Sequence, residues 1–182
     1  MAVLDILRMG HPLLRQMAAP LSQQQIESPE VAKLIEDMID TLRDAGGVGL
    51  AAPQINQSLQ LAIIEITEIP GRYGDTPSLP LSVYINPTIK VLGDQEQGFW
   101  EGCLSIPGLR GFVERPQHIE VSYLDRLGHQ TSIELKGFLA TVFQHEFDHL
   151  LGKLYVDRMK DMSQLTFEEE FEQFQLNDEK LD

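Results

Sequence analysis

Gln144-His145-Glu146-Phe147-Asp148-His149 is the stretch around which the chain is organised. It reads H-E-x-x-H. On a helix, residues four apart lie one turn apart on the same face, so both imidazoles can reach one metal ion. Glu146, one position past the first histidine, is then placed to hold and deprotonate a water on the ion without ligating it. The flanking residues Phe138, Leu139, Val142, Phe143, Phe147, Leu150 and Leu151 are apolar on nearly every side of the helix. A helix hydrophobic all round is buried. Two histidines and two acids on such a helix cost several kcal/mol unless they are paired or metal-bound, which favours the metal over a chance spacing.

Outward from this stretch, 182 residues suit one domain that buries about 70% of its unfolded surface. The first ten residues have no basic region, long apolar core or cleavage signature, and no apolar run approaches the length of a membrane span. The expectation is a cytoplasmic protein without a signal peptide. A single cysteine, Cys103, excludes an internal disulfide framework and suits a reducing compartment. A net charge of −14 argues against nucleic acid as a ligand, because phosphate binding needs clustered Lys and Arg. Residues 161–182 hold eight acids and one lysine, a net −7 and half of that total. Such a run reads as a solvated face or tail.

Residues 5–15 predict an arm laid along the body, broken by Gly10 and Pro12. Ser28, Pro29 and Glu30 open a helix as N-cap, first helical residue and acid near the positive helix end. Val31, Leu34, Ile35, Met38, Ile39 and Leu42 form its buried stripe, and Gly46 or Gly47 ends it. The small residues of Gly47-Val48-Gly49-Leu50-Ala51-Ala52-Pro53-Gln54 allow close backbone approach, or simply a tight turn. Leu59–Ile66 predicts a buried strand, Pro70 to Pro80 a loop, and Val83–Ile85 and Thr88–Leu92 short strands around Asn86-Pro87. Cys103 falls in a glycine-preceded turn with polar neighbours. His118–Leu124 and Gln130–Leu135 predict a hairpin, and Gly137 and Gly152 bracket the central helix. In the tail, Thr166 and Glu169 match a capping box, and Phe167, Phe171 and Phe174 form a stripe for a short amphipathic helix with its acids in water. The element order indicates α+β, with residues 1–160 as the body and 161–182 as an acidic tail of the same domain.

Catalytic metal sites use three protein ligands and a water, so H-E-x-x-H needs a third. The continuation H-x-x-G-x-x-H fails, because Tyr155 stands at the last position. Thermolysin-like enzymes take a glutamate about twenty residues downstream, where Glu168, Glu169 and Glu170 fall. The upstream alternative is Cys103 as thiolate, against its reading as a small buried hydrophobe.

Three segments together carry a resemblance. Gly47 through Gln54, Glu101-Gly102-Cys103-Leu104-Ser105 and Gln144 through His149 resemble the three signature motifs of peptide deformylases, in that family's order. Ile6 through Arg15 is also similar to the family's N-terminus, with His11 where aspartate is common, and the likeness covers about residues 5–158. It implies antiparallel or mixed strands wrapped around a central metal-binding helix. It also implies a mononuclear Fe²⁺ enzyme, with Zn²⁺ or another divalent metal as alternative, acting on N-formylmethionyl peptides by metal-hydroxide attack on the formyl carbon. Carried over, Cys103, His145 and His149 bind the metal and Glu146 is general acid and base. The Gln54 amide and Leu104 N–H hold the oxyanion, while Val48, Gly49 and Val142 line the methionine pocket. Asp148 and Arg115 match polar positions suited to orienting the ligands.

The tail departs from the pattern. Well-known bacterial members have a basic C-terminal helix associated with ribosome docking, whereas phosphate-rich RNA would repel residues 161–182. The reading expects no membrane or nucleic-acid partner and argues against ribosome association through this tail. Three function classes are open: a deformylase, a zinc peptidase using a 168–170 glutamate, and a binder of formylated N-termini without turnover. Intact Glu146, Gln54 and Cys103 argue against the last.

Overall fold

The computed structural model describes residues 2–66 and 78–175. After a short helix α1, Gln23–Ile26, comes α2, Pro29–Ala45. Ser28 caps α2 by accepting from the Val31 N–H at 3.2 Å, and Gly46 ends it with φ 66°, a conformation that suits a residue lacking Cβ. Strands β1, Gly49–Ala51, β2, Leu61–Ile66, and β3, Leu79–Val91, follow; then β4, Glu96–Cys103, β5, Ile106–Pro116, β6, His118–Leu124, and β7, Gln130–Lys136. The central helix α3, Phe138–Leu150, is bracketed by Gly137 and Gly152 and leads through β8, Leu165–Phe167, to α4, Glu168–Glu170.

Five strands form one sheet in the order β1-β2-β3-β6-β7, and β4-β5-β8 form another. Among the described residues every ladder is antiparallel; the parallel contact between Ala19 and Leu59 is an isolated bridge. The fold is α+β and single-domain, with antiparallel rather than mixed sheets.

The larger sheet is covered on both faces. Leu61 and Ile63 of β2 pack toward Ile35, Met38 and Leu42 of α2, while Ala62, Ile64 and Ile66 pack toward Phe143 and Phe147 of α3. Burial on both sides makes Leu61–Ile64 apolar at every position, and the run breaks only at the half-buried Glu65, whose carboxylate accepts from Arg43 at 2.8 Å. The third cluster joins Ile106 and Val113 of β5 to Leu154 and Tyr155. Thus α3 lies between the large sheet and the β4–β5 hairpin, and its polar residues must be answered by one or the other.

Three expectations change. Asn86-Pro87 does not separate two strands: it is a bulge inside β3, where the pairing with β6 slips between Ile85 and Thr88 and Asn86 takes φ 49°. The Asn86 side chain closes against the backbone of Leu21 at 2.8 and 2.7 Å. Most of the expected Pro70–Pro80 loop lies outside the described residues, and its end, from Leu79, is already β3. In the tail, Thr166 belongs to β8 and Phe167 takes the N-cap position, so the capping box does not form. Phe171 is buried against Trp100, ring centroids 5.0 Å apart, but Phe167 and Phe174 are 65% and 57% exposed. The widened turn over Phe171–Gln175 takes Phe174 off the helical stripe.

The N-terminal arm does lie along the body: the Leu7 N–H donates to the Gln54 carbonyl at 2.7 Å and the Met9 N–H to that of Ser105 at 2.8 Å. His11 caps the short turn Pro12–Arg15, its Nδ1 accepting from the Leu13 N–H. No helix of the described residues is long and apolar enough to cross a membrane.

Candidate metal centre

Three elements converge on the central helix. α3 brings His145 and His149, the end of β4 brings Cys103, and the segment after β1 brings Gln54. Ligand atoms of Cys103, His145 and His149 all lie within 4.8 Å of one another, and Cys103 Sγ is 3.4 Å from His149 Nε2. Glu168 is engaged elsewhere, with Arg110 at 2.5 Å. Among the described residues, the group that could hold a metal ion is Cys103 with the two imidazoles, and no downstream glutamate joins it.

This set fits a divalent ion. Burial alone would raise the Cys103 thiol, but the neighbouring imidazoles outweigh it and bring it down to about 5. Burial likewise works against a charged His145, yet Cys103 and Glu101 hold it well above the ordinary imidazole range. Both shifts mean the same thing: the thiolate calls for positive charge among the donor atoms. His149 Nδ1 is buried without a hydrogen-bond partner among the described residues.

Behind the donors runs a chain of buried charges. His145 Nδ1 is 2.7 Å from Glu101 Oε2, which leaves Nε2 as the nitrogen facing inward. Arg115 donates to both oxygens of Glu101 at 2.6 and 3.0 Å, and through Nη1 to Asp148 at 2.9 Å. Arg158 donates to Asp148 from the outside. Burial pushes Glu101 and Asp148 upward, but their cationic partners prevail and both end below the usual carboxylate range. The expected pairing of Arg115 with Asp148 is present. Glu101 and Arg158 escaped the sequence reading. The only signal for Glu101 was its place in Glu101-Gly102-Cys103, two residues before a ligand.

Glu146 is in a different state. Its carboxyl is buried, its Oε2 has no hydrogen-bond partner among the described residues, and burial pushes it above the ordinary glutamate range. It occupies space that Gly49 leaves: a Cβ at position 49 would lie 2.4 Å from the Glu146 Cδ and Oε1. Gln54 is anchored by the Ala51 N–H, which donates to its Oε1 at 2.8 Å. That orients Nε2 toward Ser105 Oγ at 3.2 Å and Cys103 Sγ at 3.6 Å.

A cavity of about 440 Å³ opens over these groups. Val48, Gly49, Gln54, Cys103, Leu104, Val142, His145 and Glu146 all line it. His149 lies behind this lining, 1% exposed. Leu104 sits in the turn joining β4 to β5, with its side chain against Gly47. Arg110, which the sequence reading placed in no site, and Glu168, which it weighed only as a downstream metal ligand, also line the cavity.

Residues 3–165 match the family model described as polypeptide deformylase. A peptide deformylase of Leptospira biflexa is 43% identical over 172 residues, covering 94% of this chain and 96% of that protein. Among solved structures, a class I type b peptide deformylase from Acinetobacter baumannii with Met-Ala-Ser bound is similar with a TM-score of 0.82 and 37% identity, over 87% of this chain and 99% of that one. A peptide deformylase from Synechococcus elongatus in complex with actinonin gives 0.79 and 38%, over 90% and 82%.

Proposed function

The chain belongs to the polypeptide deformylase family and is a metal-dependent hydrolase, and from that premise we propose how its own residues remove the formyl group from N-formylmethionyl peptides. The observation that carries this reading is a cysteine and two histidines grouped at a cavity, one histidine just behind its lining, beside a carboxyl with an unpartnered oxygen and an anchored amide. The Acinetobacter neighbour holds Met-Ala-Ser, a peptide with the kind of methionine end that deformylation leaves.

Cys103, His145 and His149 hold the ion. Fe²⁺ is our assignment; Zn²⁺ binds such ligands more tightly, so iron occupancy follows from availability. When bound, the ion supplies Lewis-acid chemistry, acidifying water and polarising the formyl oxygen. Glu146 accepts the proton of the attacking water and returns it to the leaving amine, a task suited to a carboxyl raised toward neutrality. Gln54 Nε2 and the Leu104 N–H hold the oxyanion, each such donor contributing about 3–4 kcal/mol in comparable sites. Val48, Gly49 and Val142 bound the methionine side chain, and β1, an outer strand of its sheet, gives the peptide backbone an edge to lie along. Residues 1–160 act as the catalytic body, with 161–182 as a tail of the same domain. We place the enzyme in the cytoplasm, with formylated peptides rather than nucleic acid or membrane as partners.

The test is turnover of a formyl-Met peptide against an internal-bond substrate, with metal content per chain, on protein prepared anaerobically. The formylated peptide alone should be turned over. Cys103→Ala should lose the metal, and Glu169→Ala should keep it. Full metal in the cysteine variant would return the assignment to a peptidase with a downstream glutamate ligand.

A further inference from the structure

Two charged side chains beyond the metal centre share its cavity: Arg110 from β5 and Glu168, the first residue of α4. The register of β8 on β5 brings them together, with Arg110 opposite Thr166 and Leu109 opposite Phe167, so the chain turns into α4 beside Arg110. The guanidinium donates through Nε and Nη2 to one oxygen of Glu168, Oε1, at 3.2 and 2.5 Å. Its other flank rests on Gly102, where a Cβ would come within 2.4 Å of Nη1. The cation is thus fixed over the residue that precedes Cys103. It is 17% exposed, against 37% for Glu168.

A guanidinium alone in that position would draw carboxylates of an entering peptide. With Glu168 upon it, its charge is answered inside the wall, and the charge turned outward is that of an acid. Glu169 and Glu170 add to the field, but neither lines this cavity. We infer that Glu168 is a specificity-determining residue: by pairing with Arg110 it disfavours acidic side chains in the residues after formylmethionine and favours basic ones. The inference rests on the reading that a formylated peptide enters this cavity.

The experiment measures kcat/KM of the full-length iron-loaded enzyme at low salt, on formyl-Met peptides carrying Lys, Gln or Glu at each of the next three positions. The wild type should favour Lys over Glu at one of them or more. Glu168→Gln should lower that ratio about threefold, the size expected of a partly exposed pair. An unmoved ratio overturns the inference, as does an equal fall in Glu170→Gln, which would assign the effect to the general acidity of the tail. Should Glu168→Gln fail to fold, the wild type decides alone. Its Lys-to-Glu ratio must fall toward one at high salt, and a salt-insensitive ratio overturns the inference. If wild-type enzyme turns over no formyl peptide at all, the deformylase reading fails instead.

Discussion

Glu101 and Glu146 stand in the same site and are equally hidden, 7% and 5% exposed, yet their surroundings put them in opposite states. Glu101 is gripped by Arg115 through both oxygens and by His145, and is held ionised below its ordinary range. Glu146 has a carboxyl oxygen with no partner among the described residues and is pushed above it. Depth of burial therefore does not decide what a buried acid does; the partners do. A carboxylate tied on all sides holds geometry, and a carboxyl left with a vacant acceptor moves protons.

Three substitutions test the contrast. The largest effect is expected of Glu146→Gln, which keeps shape and removes the titrating group. Turnover should fall by about 10³, within the usual range for general acid–base catalysis, while metal content stays at wild-type level. Metal loss in this variant would make Glu146 a structural acid like Glu101. Next is Gly49→Ala, whose added methyl contests the space of the Glu146 carboxyl. Displacing a catalytic group by about 1 Å costs on the order of 10² in kcat, again with the ion retained. Normal kcat there would show that position 49 does not hold Glu146 in place. The smallest effect on chemistry belongs to Glu101→Gln, which acts through His145. Metal affinity should weaken by about 10–100-fold, with kcat of the fully loaded enzyme far less changed. A metal titration as tight as wild type would end the division between the two glutamates.

The helix with H-E-x-x-H and α2 with its Ser28 and Gly46 caps were legible because their signals are local. The hairpin β6–β7 was legible for the same reason, two strand-like runs around a turn. The hairpin β4–β5 was not, since Gly98, Gly102, Gly108 and Gly111 along it read as loop. The fold shows what three of them are for. Phe112 lies over Gly98, Arg110 over Gly102, and Tyr155 with Met159 over Gly111, each filling the place of a missing Cβ. Such glycines are seats for large neighbours across the sheet, a relation that no window along the chain displays. Glu101 was overlooked on similar grounds: its partners are 14 and 44 residues away. The tail misled in the other direction. Phe167, Phe171 and Phe174 have helical spacing, but β8 claims the first, and only Phe171 finds a surface, on Trp100.

The row Glu101–Arg115–Asp148–Arg158 also bears on how the molecule comes together. Its members arrive from β4, β5, α3 and the segment beyond, and three of the four are buried. Any partly assembled state that shelters one of those charges ahead of its partner costs several kcal/mol. Docking of the β4–β5 hairpin onto α3 is therefore expected to be cooperative, because half-docked forms that bury an unpaired charge are disfavoured. That event also delivers Cys103 to the histidines, so the ligand set is completed in one step of folding. The row that orients the ligands in the finished protein thereby guards, during its making, against a centre assembled with two donors out of three.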